Sequence, residues 1–526
     1  MKRIDTRLTD YIAMGEAFEL SPFQKTAQKS KGQFFTPPSI ARFMANQITL
    51  HDSVVSLLDP GAGSGILTAA VCERLLAEEA PFQIDVHLFE NDPDILPVLK
   101  ESIAHIKSVF QETHHSLTYE ISSDDFIETH ACFFDEQNLF GATPRHPQYD
   151  VIISNPPYFK LSKIDHQSYL MRQIVHGQPN IYMFFMALSA ALLKEHGQMV
   201  FITPRSYCSG LYFKRFRNWF LQQIRPVFFH LFESRSKTFK QQVLQETVIL
   251  KAVKQAESPS YITISTSEDA ELQHLHTIYP AYDTVIRSAG DDSMIHLPSN
   301  ELDLEIVDII RSWYDTFFDL GFRISTGPVV SFRATQYLTE KKSYDGVHRV
   351  PLLWMNHLQD FSVQFPVVPF KKPQTMLKTE ASSKLLIKNQ YYVLVKRFSS
   401  KEQKRRLYAS YYSPKLLDHT DYFGLENHVN YIWKPVKGLS QEESLGIMAL
   451  LNSSLFDRYF RVMNGHTQVN ASEILHMPFP SYEAIIEIGE TIKYQNCSPK
   501  KFDAMQIDTT VMNFLHIPQR IQDALS

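Results

Sequence analysis

The chain has 526 residues, 44% of them hydrophobic and 21% charged; that is a globular composition, long enough for two to four domains at roughly 150 residues each, and it excludes disordered and collagen-like chains. Its four cysteines, Cys72, Cys132, Cys208 and Cys497, form no CxxC pair, which excludes a disulfide framework and argues against a structural zinc site. The net charge of −5 hides a segregation: residues 51–160 carry 18 acidic against 5 basic residues, 371–406 carry 11 basic against 2 acidic, and 204–240 carry 8 basic against 1 acidic.

The start, MKRIDTRLTDY, has no apolar core after its charges, so no secretory leader is expected. Strand and helix signals then alternate over residues 1–255. Residues 54–58 form a short apolar run ending in Asp59, and 66–77 read as a helix. A second strand, 84–89, ends in Glu90, and 94–109 is helical. A third strand, 117–121, precedes Asp124, Asp125 and Phe126, and a fourth, 149–154, runs into Asn155. Residues 181–194 read as a helix whose apolar part is too short to span a bilayer. A fifth strand, 199–203, is halted by Pro204. This alternation predicts a Rossmann-like α/β sheet, parallel, with helices on both faces. Ligands are expected at the carboxyl ends of its strands, where the polar residues gather. Beyond 255 the alternation weakens, Pro259, Pro280 and Pro298 interrupt a polar stretch, and aromatics and the strongest basic run follow. The expected division is a catalytic domain over 1–255 and an α+β domain over 256–526.

Asp59-Pro60-Gly61-Ala62-Gly63-Ser64-Gly65 lies between the first strand and its helix. Glycines permit positive φ and close approach of backbone to ligand, and a helix start offers free N–H groups. The spacing is neither a dinucleotide GxGxxG nor a P-loop. Asp59 would repel a pyrophosphate and suits a cationic or zwitterionic ligand. Glu90, at the end of the next strand, can accept both ribose hydroxyls of a nucleoside. Asp125-Phe126, after the third strand, can accept from an adenine amino group while the ring covers its face. The plain alternative for the loop alone is a tight turn without a ligand.

The sharpest signal is Asn155-Pro156-Pro157-Tyr158, where a buried strand stops at two prolines. Prolines fix φ and force the preceding residues out of helix. The Pro156 carbonyl and the Asn155 side chain can then point into a pocket as acceptors for a planar amino group, an amide or a nucleobase amine. Such a nitrogen is a poor nucleophile. Two acceptors can hold its hydrogens and steer it toward tetrahedral geometry, with no strong base needed because its proton becomes acidic only after attack. Tyr158 can stack on the planar group. The basic runs carry interleaved aromatics, Tyr207, Tyr212, Phe213, Phe216 and Trp219 in one, Tyr391, Tyr392 and Phe398 in the other, which points to a polyanion. The 21 histidines show no metal spacing, and no metal is expected.

Over roughly 32–250 these segments resemble S-adenosylmethionine-dependent DNA adenine-N6 methyltransferases of the gamma arrangement, the restriction-modification methylases of NPPY type. Gly32 through Pro38 resembles that family's N-terminal cofactor motif, which implies cofactor contacts by Phe35, Thr36 and Pro37. Asp59, Pro60, Gly61 and Gly63 resemble its glycine loop, Glu90 its ribose-binding acid, and Asp125 and Phe126 its adenine pair. Asn155, Pro156 and Tyr158 match the catalytic motif, with Asn155 also beside the cofactor. Pro157, Tyr158 and Phe239 are implied on the flipped base, and Arg205, Lys396 and Arg397 on phosphates. Ser325 through Val330, Glu426-Asn427-His428, Leu451 through Ser454 and Gly465 through Asn470 resemble recurrent sequence of the recognition domains in one subset of these enzymes. The resemblance implies S-adenosylmethionine as cofactor, double-stranded DNA as substrate, base flipping, and a cognate restriction endonuclease acting on the same site. It also implies a cytoplasmic, nucleoid-associated bacterial or archaeal enzyme; a monomer, with no membrane partner, suits modification of each strand separately. The rival readings are NPPY-type methylation of an RNA base amine or of a protein glutamine amide.

Overall fold

The computed structural model describes residues 7–19, 35–50, 52–134, 147–232, 247–268, 270–289, 292–341, 343–399, 403–464, 467–495 and 503–525. The chain divides into two compact units, Met1–Asn300 and Glu301–Ser526.

The first unit is built on one sheet of nine strands: β1 (Val54–Asp59), β2 (Gln83–Phe89), β3 (Ser116–Ser122), β4 (Tyr149–Ser154), β5 (Leu193–Pro204), β6 (Arg225–Phe232), β7 (Thr247–Val253), β8 (Thr263–Ser267) and β9 (His276–Ile278). Their spatial order is β3-β2-β1-β4-β5-β7-β6-β8-β9. β1 to β5 are parallel, and β7 enters antiparallel between β5 and β6. Strands covered on both faces need continuous apolar runs rather than alternation. β1, β4 and β5 supply them, with Leu57, Leu58, Ile152, Ile153, Val200 and Phe201 fully buried. The helix Ile181–Leu192 is apolar on every side and is correspondingly buried at all positions but Ala191. The Rossmann-like α/β fold expected from the sequence is present.

The boundary differs from the expected 255. β8 pairs parallel to β6 and carries β9 as an edge strand. A hairpin, Ile286–Ala289 with Asp292–Ile295, follows. Residues 256–300 thus complete the first unit, and Pro259 and Pro280 lie in the connections between its edge elements.

The second unit is α+β. One five-stranded sheet holds Arg323–Thr326, Val429–Trp433, Tyr392–Lys396, Ala409–Tyr412 and Phe361–Ser362, in that order. A second holds Leu338–Thr339, Thr375–Leu377, Arg349–Leu353, Tyr422–Leu425 and Leu386–Lys388. The helices Gln441–Asn452, Ser454–Met463, Tyr482–Gln495 and Ala504–Phe514 contribute to a core containing Val393, Ile432, Leu450 and Phe460. No described helix is long and apolar enough to cross a membrane.

Candidate active site

A cavity of about 400 Å³ opens where β1, β2, β3 and β4 end. The polypeptide leaves each strand through a polar or glycine-rich turn, so side chains distant in sequence converge there.

The glycine loop forms one wall. Gly65 caps the helix Ile66–Leu76 with φ +87°, and a Cβ there would stand 3.0 Å from Leu99 Cδ1. Gly63, at φ +56°, has open space where a Cβ would be, so only glycine leaves that part of the cavity clear. The loop is fastened to the end of β2. The Ala62 N–H donates to the Phe89 carbonyl (2.9 Å), and the Gly63 N–H donates to Glu90 Oε2 (2.9 Å). The other Glu90 oxygen accepts the Asp92 N–H (2.8 Å). Glu90 is 7% exposed; burial pushes its carboxyl above the usual range, against the pull of the two backbone donors. Asp59 does not line the cavity. It lies fully buried beneath the loop, accepts from the Thr68 hydroxyl (3.0 Å), and burial pushes its carboxyl up to about 7.

Asp125 works first as a helix cap. Its Oδ1 accepts from the Ile127 and Glu128 N–H groups (2.9 and 3.0 Å), and its Oδ2 accepts from the Gln167 amide (2.8 Å). The Phe126 ring meets Phe89 edge-on at 5.4 Å and tilts on Phe185 at 5.3 Å, making an aromatic wall. Phe35 and Thr36 close the cavity at another side, while Pro37 stands outside it as the cap of the helix Pro38–Asn46.

Asn155, Pro157 and Phe159 line the cavity; Pro156 and Tyr158 are buried behind it. Asn155 is held from two directions. Its Nδ2 donates to Thr36 Oγ1 (3.0 Å). The Tyr158 hydroxyl shares its proton between Asn155 Oδ1 (2.5 Å) and the Ile202 carbonyl (2.8 Å). Burial raises the Tyr158 hydroxyl well above its usual pKa, which keeps it a donor. Its ring stands edge-on to Tyr182 at 6.2 Å. The sequence suggested stacking for Tyr158; its role in fixing the amide is an addition from the structure. Phe89, Gln167, Ile181 and Phe185 also line the cavity; Asn180-Ile181-Tyr182 resembles the family segment that follows the catalytic motif, whereas Phe89, Gln167 and Phe185 are not among the expected site residues. The i, i+4 spacing from Ile181 is a helical signal that could have found Phe185; for Gln167 there was none.

The phosphate-facing expectations fare differently. Phe239 lies outside the described residues. Arg205 is 6% exposed, so its side chain is not laid along an open cleft. Arg217, in the same basic run, is fully buried and bonds both Asp292 oxygens at 2.7 Å, together with the Tyr207 and Gly210 carbonyls. That part of the run is internal structure. Lys396 and Arg397 belong to the second unit. Lys396 lies 4.8 Å from the Tyr408 ring centroid, and Arg397 donates to the Asn427 carbonyl (3.1 Å).

Residues of three of the four recurrent segments of the second unit come together around Arg397. The Gly327 N–H donates to the Val429 carbonyl (2.8 Å), Asn427 N–H to Val329 (2.9 Å), and Val469 N–H to Arg397 (2.8 Å). A Cβ at Gly327 would stand 2.3 Å from the Glu426 carbonyl oxygen, so no larger residue fits this crossing.

Residues 72–239 match the Eco57I restriction-modification methylase family. The chain is 36% identical to the Type II methyltransferase M.BsuBI of Bacillus subtilis over 466 residues, covering 88% of this chain and 90% of that protein. It is 31% identical to the Type II methyltransferase M.PstI of Providencia stuartii over 490 residues, 92% and 93% of the two chains. Among solved structures, the Type IIL restriction-modification enzyme MmeI in complex with DNA shares the fold at a TM-score of 0.51 and 12% identity, covering 99% of this chain and 73% of that one.

Proposed function

The chain belongs to the Type II methyltransferases of restriction-modification systems, and from that premise we propose that it methylates N6 of adenine in double-stranded DNA, taking the base out of the helix to do so. S-adenosylmethionine is the cofactor, and when bound it supplies an electrophilic methyl group on a sulfonium. The residues present fit it. Glu90 offers carboxylate acceptors for a ribose, Phe89 and Phe126 with Asp125 offer a slot for an adenine, and Gly63 leaves room for close approach.

The observation that carries the adenine reading is the fixed Asn155 amide at the cavity. An exocyclic amine conjugated to a purine ring has little free lone pair. An acceptor already oriented by Thr36 and Tyr158 can take one of its hydrogens without first being ordered, and such preorganisation is where this kind of site gains its rate. The second acceptor in this reading is the Pro156 carbonyl, whose residue is buried behind the cavity next to Asn155. No residue here needs to be a strong base, since the amine proton leaves after the nitrogen is alkylated. The second unit is the target-recognition domain in this reading, and its exposed lysines meet phosphates.

The test supplies purified protein and methyl-labelled cofactor to unmethylated genomic DNA, ribosomal RNA and a peptide-release factor in parallel. The reading expects label in N6-methyldeoxyadenosine of the DNA digest. Label confined to RNA or to a protein glutamine would replace it.

A further inference from the structure

Beside the cavity lies a turn whose apolar tip has no work in the reaction described so far. The Leu161 N–H donates to the Pro179 carbonyl (2.9 Å) and the Ile181 N–H to the Phe159 carbonyl (3.0 Å), with Lys160 bridged to Asn180. The stretch 162–178 therefore leaves and rejoins the fold at one place, next to the cavity-lining Phe159. It opens with a tight turn in which the Asp165 carboxylate accepts the Ser162 N–H (2.7 Å). The following helix, His166–Leu170, is tied back to the cavity wall through Gln167 and Asp125 (2.8 Å). Ile164 stands at the tip, 91% exposed, and Lys160 and Lys163 are exposed near it.

An isoleucine held in water contributes nothing to the fold, since the hydrophobic gain comes only with burial. On a cationic turn, the partner that suits it carries anions outside and apolar faces inside. Duplex DNA with a base extruded has this chemistry: phosphates along the strand and a gap between stacked base pairs. We propose that Ile164 is the wedge that enters the duplex and fills the space left by the flipped adenine, with Lys160 and Lys163 on the flanking phosphates. The proposal rests on the adenine-methylation reading and adds to it the residue that serves the extrusion step.

Ile164→Ala tests this in the full-length protein, and the exposed position leaves the fold untouched. The substrate is a duplex carrying the motif that the wild-type protein modifies, made with either thymine or an abasic site opposite the target adenine. Removing the partner base abolishes the pairing that extrusion must break, which relieves the need for a wedge. The expected result is a kcat/KM lowered roughly tenfold or more on the paired duplex, restored to within about twofold of wild type on the abasic one, with cofactor affinity unchanged. Ile164→Leu retains wild-type rates on both. An equal loss on both duplexes, or no loss on the paired one, overturns the wedge while leaving the methylation reading intact. Wild-type protein that modifies no DNA overturns both.

Discussion

Asn155, Glu90 and Asp59 are three polar residues at the ends of adjacent strands, and their surroundings set them to different tasks. Glu90 spends part of its carboxylate on the Gly63 and Asp92 N–H groups, so it shapes the glycine loop as well as facing the cavity. Glu90→Ala should weaken cofactor binding by about 10- to 100-fold, the loss of charged hydrogen bonds worth about 1.5–3 kcal/mol; calorimetric titration of the purified variant measures it. Asp59 behaves as a buried acid. Its carboxyl moves from 3.8 to about 7 on folding, so between those values the folded chain keeps a proton that the unfolded chain has lost. The stabilising contribution of the protonated group is complete at low pH and is lost as pH rises through the folded value. Urea midpoints of wild type and Asp59→Asn should therefore converge or cross as pH climbs from 5 to 7.5, wild type losing ground, and run parallel above that. A difference independent of pH would mean that Asp59 ionises normally.

The strands that carry the site were legible because each pairs an apolar run with an abrupt polar stop. The expected 84–89 is realised as Gln83–Phe89, and the expected 149–154 as Tyr149–Ser154. The fifth strand begins at Leu193 rather than 199: the short polar stretch around His196 reads as a helix end, yet Leu193 already pairs with Tyr149 of β4, ahead of an irregularity before the pairing resumes at Gln198. β8 and β9 carry little strand signal: Thr263–Ser267 is mostly hydroxyl residues although it lies between β6 and β9, and β9 is a three-residue edge strand. Charge was the poorest guide. Arg217 counted toward a phosphate-binding run, but it joins the helix Lys214–Gln223 to the hairpin strand Asp292–Ile295 through Asp292. Arg217→Ala strands the Asp292 carboxylate and should cost about 3–5 kcal/mol, read as a lowered unfolding midpoint. The salt dependence of DNA binding by the folded fraction should not change; if it does, Arg217 reaches phosphate after all.

At the scale of the whole chain, an acidic stretch surrounds the cofactor cavity and the strongest basic run lies in the second unit. Within that run Lys371, Lys372, Lys384 and Lys388 are exposed, whereas Arg406 is buried against Ser399 and Asn464. Each exposed lysine that meets a phosphate adds about 0.9 to the slope of log affinity against log salt. Replacing the four with glutamine should flatten that slope by the matching amount, and an unchanged slope would place the DNA elsewhere. The measurement closest to the central claim is made in a bacterial host without adenine methylation of its own, by sequencing its genome with a method that reports N6-methyladenine after expression of this protein. The account predicts one short motif modified throughout the genome by the wild type and unmodified with Asn155→Ala. Soluble, cofactor-binding protein that leaves every adenine unmodified would contradict it.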